Sequence, residues 1–252
     1  MNEIIIFNLI MIFFSIVGIG VFILLFFVSA PYGQHIRKGW GPNLNNKLGW
    51  FIMEIPTVVI FLIIYFLGER KTDLISIVFL FIWMLHYGQR TFIFPLLIRA
   101  KQPMPVTIIS FGMMFNGINT YLQARWIYTL SEPYPDDWII SPFFIAGLSI
   151  FLLGFIINLH SDRIIRNLRK PGETEYRIPY GGMFRWVSSP TYLGEITEWA
   201  GWAILTLSFP GLIFVFWTFA NLAPRALSHH KWYLETFPEY PKNRKALIPF
   251  IY

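Results

Sequence analysis

Several side chains in this chain of 252 residues carry charge or strong hydrogen-bonding groups inside otherwise apolar sequence. Glu54 stands in FIMEIPTVVIFL, and a charge at the centre of a bilayer costs on the order of 2.5–3.5 kcal/mol, so such a group is kept where it lines a cavity or meets a partner. In WMLHYGQR, Tyr87 and Arg90 are three residues apart and His86 and Arg90 four, spacings that put each pair on one helix face. Glu54 and Tyr87 could meet across adjacent helices. Asn116, Asn119 and Gln123 follow i, i+3, i+7, a row of amides suited equally to interhelical hydrogen bonds or to ligand contact.

The cationic stretch NLHSDRIIRNLRKPGETEYRIPYGGMFR raises a different chemistry. Asn158, Asp162, Arg166 and Arg169 fall at i, i+4, i+8 and i+11, one helical face mixing amide, carboxylate and guanidinium. A patch that only grips anionic lipid needs neither the acid nor the amide. Pro171 and Gly172 stop that helix, and the segment after them, with Tyr176 and Arg177, reads as ordered and turn-rich. Planar Arg beside aromatic rings suits a phosphate joined to a stackable base. Further on, SSPTYLGEITEW places Thr191, Glu195 and Glu198 on one side of a helix starting at Ser189 or Pro190, and PRALSHHKWY sets Arg225, His229 and Tyr233 at i, i+4, i+8. These basic, aromatic elements bracket acid-lined helices and could enclose a nucleotide. There is no G-x-G-x-x-G after a strand and no phosphate-binding P-loop, which excludes the familiar soluble cradles. There is also no H-E-x-x-H and no histidine cluster with ligand spacing, so no metal site is expected.

The elements that must position these groups are membrane helices. With 26 Phe, 10 Trp and 12 Tyr, 55% hydrophobic residues, 13% charged residues and a mean hydropathy of +0.53, the chain is far more apolar than soluble domains. The lack of cysteine excludes disulfides, thiolate metal sites and a cysteine nucleophile. A helix needs roughly 20 apolar residues to cross the hydrocarbon core. Seven runs qualify: Ile4 to Ser29, Gly49 to Leu67, Leu74 to Ile98, Val106 to Leu130, Phe143 to His160, Tyr192 to Ser208 and Gly211 to Ala223. The first lacks a basic leader and reads as a retained span. The last two are short and meet at SFPG, a turn, so they read as tilted or only partly crossing, and six spans stand as the alternative to seven. Residues 30–48, 99–105 and 161–190 and the tail beyond Ala223 hold all but Arg70, Lys71, Arg90 and Arg125 of the 20 Lys and Arg. These are alternate connections, so the expected topology is an all-α integral membrane protein with its N-terminus out and its C-terminus cytoplasmic. Cations divided among membrane-proximal loops also argue against nucleic acid.

The motifs N-x-H-S-D-x-I-x-R-x-L-R-K-P-G-E-x-x-Y-R-I-P-x-G-G, L-G-E-x-x-E-W, R-A-x-x-x-H-x-x-Y and Y-P-K-x-R-K-A-L-I-P-F-I-Y closely resemble the steroid 5α-reductase family. The resemblance implies one membrane-embedded domain over 1–252, with substrate-side helices at about 1–130 and a cofactor part at about 143–252. It implies a multi-pass enzyme of the bacterial inner membrane or endoplasmic reticulum that uses NADPH to reduce the double bond conjugated to a steroid 3-ketone, with no obligatory protein partner. Glu54 and Tyr87 match the acidic and phenolic pair on the ketone. Asn158, Asp162, Arg169, Tyr176, Arg177, Glu195, Arg225, His229 and Tyr233 match cofactor positions, and Asn119, Arg166, Thr191 and Glu198 join the same polar lining. Mammalian members carry Gln before the catalytic Glu where this chain has Met53, and Asn where it has Thr191; Phe111 replaces an Arg of one mammalian relative. The looser tail pattern is shared with isoprenylcysteine carboxyl methyltransferases, which makes an S-adenosylmethionine-dependent membrane methyltransferase the alternative.

Overall fold

The structure is a computed structural model that describes residues 2–28, 31, 35–99, 102–168 and 176–252. Its described residues are mostly helical. Helix α1 spans Glu3–Phe27, α2 Asn46–Leu67 and α3 Leu74–Gly88, the last running through a π-helical turn at Gln89–Ile93 into the short α4, Phe94–Leu97. Helix α5 covers Val106–Arg125 and ends in a second π-helical turn, Trp126–Leu130. Helices α6 (Pro142–Asn167), α7 (Pro190–Thr206) and α8 (Phe209–Thr236) complete the set. Two-residue strands β1 (Asn43–Leu44) and β2 (Met104–Pro105) form the only named sheet among the described residues. Seven long helical segments thus stand where seven apolar runs were read. Four of them, α1, α2, α3 with α4, and α6, are long and apolar enough to cross a membrane. Two helices outrun their apolar stretches: α6 continues past His160 to Asn167, and α8 past Ala223 to Thr236. Hydropathy marks where lipid ends, whereas intrahelical hydrogen bonds persist in polar sequence.

The chain forms two compact units. The first comprises Met1–Ile12 and Pro31–Ile145. Its central device is the antiparallel pairing of β1 with β2, Asn43 against Pro105 and Leu44 against Met104. Because α2 follows β1 and α5 follows β2, this pairing starts both helices at one level, and they run side by side. Gly112 lets the Met53 side chain lie on the α5 backbone; a Cβ there would collide with the Met53 Cγ and Sδ. Helix α3 returns along α2 through a stack of Trp83 on Phe61, centroids 4.5 Å apart and 10° from parallel, a contact worth about 0.5–1.5 kcal/mol beyond area burial. The two cations read inside spans find distinct partners. Arg90 lies over the rings of Trp50 (4.7 Å) and Phe94 (4.2 Å), and Arg125 pairs with Glu3, Nε to Oε1 at 2.5 Å.

The second unit comprises Phe13–Ala30 and Ala146–Tyr252. Leu207, at φ 41°, and Ser208, whose hydroxyl accepts the Gly211 amide at 3.0 Å, turn α7 into α8 at the expected SFPG corner. Helices α6 and α7 approach backbone to backbone. A Cβ at Gly154 would meet the Glu198 amide nitrogen and the Gly194 carbonyl, and one at Gly201 the Phe151 amide nitrogen. Close approach through small residues is how helices associate where lipid removes the hydrophobic drive. The C-terminal tail folds back, with Val187 bridging Lys245 in parallel and Ala246 and Leu247 packing on Ala223 and Ala226.

Candidate functional site

In the first unit, α2 presents Glu54 to α5. Asn116 donates from Nδ2 to Glu54 Oε2 (3.1 Å) and to the Met53 carbonyl (2.7 Å). Thr57 Oγ1 donates to the Glu54 carbonyl at 2.6 Å, one residue beyond the helix-interior Pro56. Trp83 Nε1 donates to the Thr57 carbonyl at 3.0 Å, tying α3 to the same turn, and Tyr87 packs on Trp83 with centroids 4.6 Å apart. Tyr87 is 3% exposed and Glu54 7%. The carboxyl and the phenol of the sequence reading are therefore both buried in one unit, on helices tied together by the Trp83–Thr57 hydrogen bond. The π-helical turn begins two residues after Tyr87, a distortion frequent at functional sites. Asn119 also lies here, 1% exposed, on the same helix as Asn116; its Oδ1 accepts from Gln123 Nε2 at 3.3 Å, and its Nδ2 has no hydrogen-bond partner. The buried hydroxyls of Thr91 and Thr120 likewise lack partners. A buried polar atom without a protein partner is costly to leave unsatisfied.

The second unit gathers most of the remaining candidates. The glycine contact of α6 with α7 brings Asn158 to Thr191, whose carbonyl accepts from Asn158 Nδ2 at 3.1 Å. Asp162 and Arg166 follow on α6, each part-buried, while Arg169 lies outside the described residues. Glu198 is fully buried on α7 and Glu195 part-exposed one turn earlier. From α8, the Arg225 guanidinium sits over the Tyr192 ring (5.3 Å) and donates to the Tyr192 hydroxyl (3.2 Å), and the His229 ring packs against the same tyrosine at 5.6 Å. Tyr233 stacks on Tyr240 at 5.0 Å, 11° from parallel, and touches Trp232, which meets Tyr176 edge-on at 5.1 Å. Arg177 is exposed. Arg225 and His229 of the i, i+4, i+8 row of α8 thus meet at Tyr192 of α7, a partner the spacing did not foresee, while Tyr233 stacks on Tyr240 instead.

Sequence reasoning missed a second node. Ser188 Oγ meets His230 Nδ1 (2.6 Å), the Tyr240 hydroxyl (2.7 Å) and the Lys245 carbonyl (3.1 Å), joining the segment before α7, the end of α8 and the tail. No local pattern announces a contact between residues 57 apart. Burial holds the His230 imidazole below its ordinary value, and Lys245 adds to the effect.

The chain is similar in sequence to known proteins. The family model for 3-oxo-5-alpha-steroid 4-dehydrogenase matches residues 102–252. The steroid 5-alpha-reductase of Gossypium hirsutum is 41% identical over 244 residues, 94% of each chain. The 3-oxo-5-alpha-steroid 4-dehydrogenase 1 of Bos taurus is 40% identical, covering 93% of this chain and 92% of its own, and that of Homo sapiens is 40% identical over 94% and 92%. The matched region holds every candidate on α6, α7 and α8, and the relatives align across nearly the full length, so this chain belongs to the 3-oxo-5-alpha-steroid 4-dehydrogenase family.

Proposed function

We propose that the chain reduces the Δ4 double bond of a 3-oxo-Δ4 steroid to the 5α-reduced ketone, with NADPH as reductant. The proposed setting is a single multi-pass membrane domain of seven spans, N-terminus out and C-terminus cytoplasmic. The observation that supports the reading most strongly, given the family, is that a buried carboxyl and a buried phenol, Glu54 and Tyr87, lie in one unit lined by aromatic rings.

The second unit's donor set suits a phosphorylated dinucleotide. Ser161 Oγ and Ser189 Oγ are buried without hydrogen-bond partners beside Asp162 and Pro190, and guanidinium groups with neighbouring rings favour phosphate and base. In this reading Arg166, Arg169, Arg177 and Arg225 would hold the phosphates, with Tyr176 and Tyr233 along the flanking rings. Asn158, Asp162, Glu195, Glu198 and His229 would meet the hydroxyls and amides, and Thr191 would hold Asn158 in place. Bound NADPH supplies a hydride for the enone β-carbon.

As that carbon gains hydrogen, the electron pair of the double bond moves onto the ketone oxygen. The Tyr87 hydroxyl donates to this oxygen, and Glu54 holds the phenol in place; with water excluded, such a donor stabilises the developing enolate strongly. Protonation of the α-carbon then restores the ketone. The test is NADPH oxidation by purified, reconstituted protein. Turnover is expected only when a 3-oxo-Δ4 steroid is present, with a 5α product. A wild-type protein that leaves both unchanged refutes the proposal.

A further inference from the structure

We infer that Asn116 is the residue that sets how Glu54 works, by fixing which carboxyl oxygen accepts and which one is left to carry a proton. This rests on the proposed role of Glu54 in enone reduction. The geometry behind it is internal to the α2–α5 pair. Asn116 is buried, and one atom, Nδ2, lies 2.7 Å from the Met53 carbonyl and 3.1 Å from Glu54 Oε2. A backbone carbonyl only accepts, so the amide edge facing it must be the NH₂ edge; the alternative flip would set two acceptors against each other. With that orientation forced, the second Nδ2 hydrogen points at Oε2. Oε2 therefore accepts from Asn116, and this contact favours Oε1 as the oxygen that carries the proton of a neutral Glu54.

Three features hold the device in place. The β1–β2 pairing sets the level of α5 against α2. The missing side chain at Gly112, one turn before Asn116, lets Met53 settle against α5 and brings its carbonyl within reach. Thr57 occupies the Glu54 carbonyl, so the turn that carries the carboxyl is anchored on both sides. Asn116 touches neither reacting carbon nor hydride in this account; it is a positioning residue that acts through Glu54. An amide serving only to glue helices would bond backbone or another amide. This one spends half its donor capacity on an intramembrane carboxyl.

A double-mutant cycle tests the idea, with kcat measured at saturating NADPH and 3-oxo-Δ4 steroid in the reconstituted full-length protein. Asn116→Ala is expected to lower kcat by about ten- to a hundredfold in the wild-type background, the size of one hydrogen bond to a charged group, and to have little further effect in Glu54→Gln, because residues acting through one another are non-additive. Equal factors in both backgrounds overturn the inference. Asn116→Asp supplies a second readout that does not depend on residual Glu54→Gln activity. Facing Glu54 with another carboxyl, it needs one shared proton, so its kcat is expected to fall with rising pH along a limb that the wild type lacks. A profile parallel to the wild type overturns the inference as well. The underlying reading fails differently, through a wild type that turns over no such steroid or a Glu54→Gln variant as active as the wild type.

Discussion

At the scale of single residues, the informative side chains are those whose burial makes no sense without a partner. Tyr87 is nearly inaccessible and is held on Trp83, which is itself bonded to the Thr57 carbonyl. Removing its hydroxyl should therefore leave the fold intact and strike the chemistry. Tyr87→Phe is expected to cut kcat by about 10²–10⁴-fold, the range for a positioned proton donor, while KM for NADPH holds; steady-state kinetics check both. His230 makes a prediction of another kind. Its imidazole is kept below the ordinary value of 6.5 by burial and Lys245, so the unfolded chain takes up a proton before the folded one does as pH falls. Stability is thus full above that ordinary value and declines as pH drops through it toward the lower folded value. Melting temperature against pH should show this decline, and His230→Gln should flatten it.

At the scale of elements, the α6–α7 contact has the least tolerance. Gly147 and Gly154 on one helix, and Gly194 and Gly201 on the other, repeat at seven-residue intervals, so both rows fall on one face. A methyl group at Gly154 would meet backbone of Glu198 and Gly194 rather than a side chain that can move aside. Overpacking of this sort costs about 1–3 kcal/mol and more when backbone must shift. Gly154→Ala is expected to lower the thermal transition of the purified protein, whereas Gly20→Ala, where nothing lies within 4 Å of the added carbon, should leave it unchanged. The seven-residue spacing was visible in the sequence. What it opposed was not, since small residues also occur on faces that meet nothing.

At the scale of the molecule, the distribution of charge and the ends of the helices make one topology the simplest. The Glu3–Arg125 pair brings the start of α1 to the end of α5, the arrangement that the proposed alternating spans would require of two ends on one side. Because the chain has no cysteine, single introduced thiols report on sidedness without background. In sealed membrane vesicles of one orientation, Glu132→Cys, between α5 and α6, and Lys242→Cys, in the tail, should react with an impermeant maleimide on opposite sides, Glu132→Cys on the outer or lumenal side and Lys242→Cys on the cytoplasmic side. The reverse labelling pattern contradicts the proposed orientation.

Class, the places of the apolar helices, the corner at SFPG, the start of α7 at Ser189 or Pro190 and the carboxyls in apolar runs were all legible in the linear chain. Each depends on properties summed over neighbouring residues: hydropathy, turn residues, the periodicity of a helix. Which residues those helices bring together was decided by tertiary structure. Glu54 meets Asn116 across 62 positions, Arg125 meets Glu3 across 122 and Ser188 meets Lys245 across 57. Those contacts follow from register, which a two-residue strand pair and a few glycines impose on long helices, and register is a property of pairs of segments that neither segment carries alone.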